Sequence, residues 1–230
     1  MNNRVLSDSI KRIYKAEKLT IVSAVLLIAG SAVGFVAENT NKNYIGIAAL
    51  LVLLCAALLA VAAFVHNFFG VKKAAGEEPA FKKAFLWLIL GLIAKVLNFL
   101  LENIEGSFVD LQTLSSFFQA VSEVAETVFI YFVLGAISAI ADKMHHHKLE
   151  KKCASATHKI IFVQILSLII SLLSTVLNAF GLEESFGGTL ATSIMGIVAV
   201  VLSVVSYVLY LNILSGTIKM LEESAESDIS

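Results

Sequence analysis

Six runs of this chain, near residues 19–37, 44–69, 84–101, 121–141, 160–180 and 188–217, are apolar over about 18 residues or more, the length that crosses the hydrocarbon of a bilayer. No other feature constrains the fold as tightly. A water-soluble globule of this size must cover a large surface with polar groups, yet 58% of the 230 residues are hydrophobic and 15% are charged. Soluble domains carry about 25% charged residues. Lipid as solvent removes the conflict, provided that each backbone amide is satisfied within its own segment. The runs are long, rich in Leu and Ala and not alternating, which predicts helices rather than strands. The expectation is an all-α polytopic membrane helical bundle with six transmembrane helices. The single proline, Pro79, falls between the second and third runs, so the helices should be nearly unkinked.

Lys and Arg set the predicted orientation. Arg4, Lys11, Arg12, Lys15 and Lys18 precede the first run. Lys72, Lys73, Lys82 and Lys83 follow the second, Lys143, Lys148, Lys151, Lys152 and Lys159 follow the fourth, and Lys219 follows the last. The other face holds Lys42 alone. The alternation predicts an even number of spans, both termini in the cytoplasm and a multi-pass place in the cell membrane. Arginine occurs only at Arg4 and Arg12, which points to a bacterial source. The basic leader is long and lacks an A-x-A site, so the first run is read as a span and not a signal peptide.

Three regions follow. Residues 1–18 form a cytoplasmic basic amphipathic segment, with Leu6, Ile10 and Ile13 at helical spacing, expected to lie on the inner membrane surface. Residues 19–217 form the six-helix transmembrane domain. Residues 218–230 form a cytoplasmic acidic tail, expected to be disordered after Leu221. Residues 105–120 suit either a helix on the outer surface or a fourth helix projecting beyond the bilayer. The three odd spans each begin after lysine (Lys18, Lys83, Lys159), and leave through Phe35-Val-Ala-Glu38-Asn39, Phe99-Leu-Leu-Glu102-Asn103 and Phe180-Gly-Leu-Glu183-Glu184. Tandem triplication of a helical hairpin would produce this pattern, and so would convergence.

Lys95 is the most informative residue, because a lysine inside a span is costly unless paired. Asn98 and Glu102 follow it on one helical face, and on the next span Glu126 lies about as deep, with Glu123 one turn nearer the outside. The prediction is that Lys95 faces the bundle and pairs with Glu126 or Glu123, forming either a packing element or a charge-switching site for a proton, ion or small anion. In the fifth span Gln164, Ser167, Ser171, Ser174 and Asn178 make a polar stripe. In the sixth, Thr192, Gly196, Ala199, Ser203, Ser206 and Tyr210 repeat it. Such stripes either pack helices closely or line a wet cavity.

Other chemistry is sparse. His145, His146 and His147 could bind zinc or copper but are expected to form a solvated loop. Cys55 and Cys153 make neither a disulfide framework nor a metal knuckle, and no catalytic or nucleotide-binding motif occurs. No cofactor is expected. A net charge of −1 gives no reason to expect nucleic acid. The expected partners are the lipid bilayer, an ion or small solute, and another copy or membrane protein. The leading functional expectation is a small transporter or channel-like protein. The alternative is a non-transporting scaffold, assembly factor or partner subunit, with an intramembrane enzyme third.

Overall fold

A computed structural model describes residues 2–40, 43–102, 109–179 and 186–227. The described residues fold into six helices and no strand: α1 (Asn3–Thr40), α2 (Asn43–Glu77), α3 (Phe81–Glu102), α4 (Val109–Lys143), α5 (His147–Ala179) and α6 (Phe186–Ser227). Among the described residues five helices, α1 to α4 and α6, are long and apolar enough to cross a membrane. Helix α1 packs along α2, α3 along α4, and α4 along α5. Two compact units result, residues 1–79 with 217–230, and residues 80–216.

In the first unit, small residues let two helices approach closely. The buried residues of α1 include Ser9, Ala16, Ser23 and Gly30, and those of α2 include Ala49, Ala56, Ala63 and Gly70. Both sets repeat every seven residues, the period that keeps one seam facing its partner as two helices supercoil. Their pairing is antiparallel. Ser23 Oγ donates to the Ala56 carbonyl at 2.8 Å. A Cβ on Gly70 would stand 3.0 Å from the Ser9 carbonyl oxygen and 2.9 Å from Ile13 Cγ1. Near the basic end of the seam, Glu17 is buried and accepts from Asn67 Nδ2 at 3.2 Å.

The described residues near both ends of the chain are helical. The segment 1–18 is no separate surface helix but the opening of α1, which runs 38 residues, or about 57 Å at 1.5 Å per residue. Leu6, Ile10 and Ile13 are fully buried because α2 carries Gly70, Val71 and Ala74 alongside them. Asn2 caps the helix, its Oδ1 accepting from the Val5 amide at 3.2 Å. Helix α6 continues to Ser227, with Thr217, Met220 and Leu221 buried. Lys11 pairs with Glu222 at 2.6 Å, and Asn3 Nδ2 donates to Ser224 Oγ at 2.8 Å. The hydrogen bond that Lys11 donates to the Glu222 carboxylate raises its pKa above the ordinary value. Of the two readings of residues 105–120, the described part from Val109 belongs to a long α4.

The histidine run joins two helices. His145 adopts φ of 55°, and its amide donates to the Asp142 carbonyl at 2.9 Å while that of His146 donates to Ala141 at 2.7 Å. This is a Schellman turn closing α4 with a histidine where glycine is usual. His146 Nδ1 then accepts from the Leu149 amide at 3.3 Å, capping α5, and His147 Nδ1 meets Glu150 at 3.3 Å. Each histidine is thus used in a turn.

Candidate intramembrane site on helices α3 and α4

Helices α3 and α4 pack through a seam on which Ala84, Gly91 and Ala94 face Ser122, Ala125, Phe129 and Val133, all buried. Their approach is tight at Gly91, where a Cβ would stand 3.3 Å from that of Ala125. Lys95 directly follows Ala94, and Glu126 directly follows Ala125. A step of one residue turns a side chain by about 100° at 3.6 residues per turn. Both charges therefore leave the seam beside its narrowest point, and Lys95 Nζ bonds Glu126 Oε1.

The structure thus brings Lys95 together with Glu126, one of its two expected partners. Each side chain is 58% exposed, on the outside of the hairpin rather than in its interior. The physical reason is that glycine and alanine occupy the packed positions, leaving no room for long charged groups. Lys95 lies about 18 Å beyond Lys83 and about 10 Å short of Glu102 along the helix axis. That depth is within the hydrocarbon of a bilayer crossed by α3.

The other predicted members are arranged separately. Asn98 Oδ1 accepts from Ser115 Oγ at 2.7 Å, across the hairpin. Glu123 is exposed and accepts from Gln119 Nε2 at 3.3 Å, one turn away on its own helix. The Glu102 side chain lies outside the described residues, as do those of Gln164, Ser167, Ser171, Ser174 and Asn178, whose backbone belongs to α5. In the sixth-span stripe Ser206 and Tyr210 are buried, whereas the side chains of Thr192, Gly196, Ala199 and Ser203 also lie outside the described residues.

Sequence reasoning missed Ser115 and Gln119, which continue the polar line from Glu126 and Glu123 toward the start of α4. The signal was present in the hairpin register. Once Lys95 faces Glu126, residue 98 must meet a residue nearer the start of α4. Away from that end polar groups give way to packing. Phe129, Val133, Leu134, Ile137 and Ile140 are buried, and Lys83 stacks over the Phe132 ring at 5.6 Å.

The arrangement offers a paired cation and anion with adjacent amide and hydroxyl groups. It can bind a polar group of complementary charge. Among the described residues no group of three or more His, Cys, Asp or Glu could hold a metal ion. Cys153 is fully buried, and burial pushes its thiol up to about 12, which keeps it protonated and unreactive at neutral pH. No protein-family model, curated protein or solved structure matches the chain.

Proposed function

We propose that the chain is a six-span protein of the bacterial cell membrane, built from three helical hairpins with both termini cytoplasmic, that works as a subunit of a membrane assembly. The α3/α4 hairpin docks another transmembrane element through the face bearing Lys95 and Glu126. The lysine-rich connections support the topology, and the antiparallel α1/α2 and α3/α4 pairs support the hairpins. The start of α5 also approaches the last part of α6, where a Cβ on Gly216 would stand 3.5 Å from Leu149 Cδ1.

One observation carries the functional reading: the ion pair is on the outside of a hairpin at hydrocarbon depth. Charged groups facing lipid cost several kcal/mol unless they snorkel or pair. Pairing with each other removes only part of that, because both groups still lose hydration. Polar contact with another helix recovers more, since side-chain hydrogen bonds associate helices in lipid, where the hydrophobic effect does not.

The test is site-specific photo-crosslinking in native membranes. Gln119 and Ile130 lie on the same stripe of α4 as Glu126, and each is replaced in turn by a photoreactive residue. Val124, at similar depth but on the other side of the helix, is the control. Protein adducts from Gln119 and Ile130, with lipid adducts alone from Val124, are the expected result. Lipid adducts alone from all three positions would sink the reading.

A second reading is movement of an ion or small solute, favoured by the polar line of Asn98, Ser115, Gln119 and Glu123 leading to the Lys95–Glu126 pair. Here Lys95, Asn98, Glu123 and Glu126 form the path. Flux into liposomes that Lys95→Met abolishes would favour this reading over the first.

A further inference from the structure

We infer that the element docked on the α3/α4 face is the same face of a second copy, related by a twofold axis along the membrane normal. This rests on the docking role proposed above and names its partner. Two copies inserted with the same orientation can be related by such an axis without any residue changing depth. Closed twofold contact is also the commonest symmetry of homo-oligomers, and it requires a surface that complements itself.

The Lys95–Glu126 face meets that requirement. Its two charges have opposite sign, touch each other and therefore share one depth. They form a dipole in the membrane plane, and a facing twofold image reverses its direction. Lys95 of each copy then lies against Glu126 of the other. A cluster of two ammonium and two carboxylate groups results, with each charge next to two of opposite sign. A partner bearing only one sign would neutralise one group and repel the other.

The surroundings suit such a contact. Phe99, one turn from Lys95 on the same side of α3, is exposed and supplies an apolar border. Glu123, the surplus carboxylate, stands one turn nearer the α3/α4 turn, beside Gln119. Closer to the headgroups, water and salt screen its repulsion from the second copy.

Analytical ultracentrifugation or mass photometry of the full chain in lipid nanodiscs or mild detergent tests the proposal. The unaltered chain should form a reversible dimer. Lys95→Glu and Glu126→Lys, each alone, should weaken self-association at least tenfold, because each places like charges face to face. Mixing the two variants with different tags should restore a heterodimer, which rescue within one chain could not produce. A monomeric unaltered chain, a dimer indifferent to both substitutions, or a mixture that yields no heterodimer would each overturn the proposal.

Should the charge variants fail to fold, photo-crosslinking from Ile130 leaves the ion pair intact and still decides the matter. An adduct of twice the 24.7 kDa chain mass is expected. A protein adduct of any other mass overturns self-association while the docking role survives. An adduct with lipid alone overturns both.

Discussion

A left-handed backbone costs a residue bearing a Cβ about 1–2 kcal/mol, and His145 bears that cost at φ of 55°. His145→Gly should therefore raise stability by about 1 kcal/mol, whereas the β-branched His145→Val should lower it. Thermal unfolding in detergent measures both. Neither change should alter function if the turn only joins α4 to α5. The two cysteines should behave differently for a similarly local reason. Cys153 is buried and held protonated, so maleimide at pH 7 should label it only after denaturation. A raised thiol pKa favours the fold below the ordinary thiol pKa and loses that advantage as pH climbs toward about 12. Accordingly, Cys153 labelling should stay slow at pH 9, where a solvated thiol reacts freely. Fast native labelling at that pH would show that the α5 packing is wrong.

At the scale of the element, the decisive contacts come from residues with almost no side chain. Gly70→Ala gains helix propensity of about 1 kcal/mol but drives a methyl into the Ser9 carbonyl and Ile13, and overpacking costs about 1–3 kcal/mol. The net expectation is a loss. Gly76→Ala, in the same helix with nothing within 4 Å of the new methyl, should gain a few tenths to about 1 kcal/mol. Measuring the two unfolding midpoints side by side separates packing from propensity. A more stable Gly70→Ala would mean that the α1/α2 seam is looser than described.

Here the limits of sequence reasoning are physical. The apolar runs reveal the helices because crossing lipid demands length. The seven-step series Ser9, Ala16, Ser23 and Gly30 was also legible, but serine and alanine are common enough in apolar runs that the period stands out only beside its antiparallel partner. Depth alone narrows the partner of Lys95 to Glu126 or Glu123. The exposure of the pair could not be read, because direction depends on Gly91 and Ala125 taking the seam. Ser115 escaped notice for want of a hairpin register.

For the molecule as a whole, the proposed even number of spans predicts that tags at both termini are reached from the cytoplasmic side, while a tag between α1 and α2 is reached from outside. Protease accessibility in oriented vesicles checks this, and tags on opposite sides would end the six-span account. The joined termini make a second prediction at this scale. Lys11→Ala removes the partner of Glu222, so amides in the last two turns of α6 should exchange hydrogen faster while those of α2 remain protected. Equal protection throughout would mean that the buried Met220 and Leu221 hold α6 without the ion pair.

The bond between Asn3 and Ser224 spans 221 positions of the chain. During synthesis the opening turns of α1 emerge more than 200 residues before the α6 residues that bond them. Until that part of α6 is made, Asn3 and Lys11 lack these partners. Cells producing a shortened chain that stops before Thr217 should therefore hold it as chaperone or quality-control substrate, even with every apolar run already in the lipid.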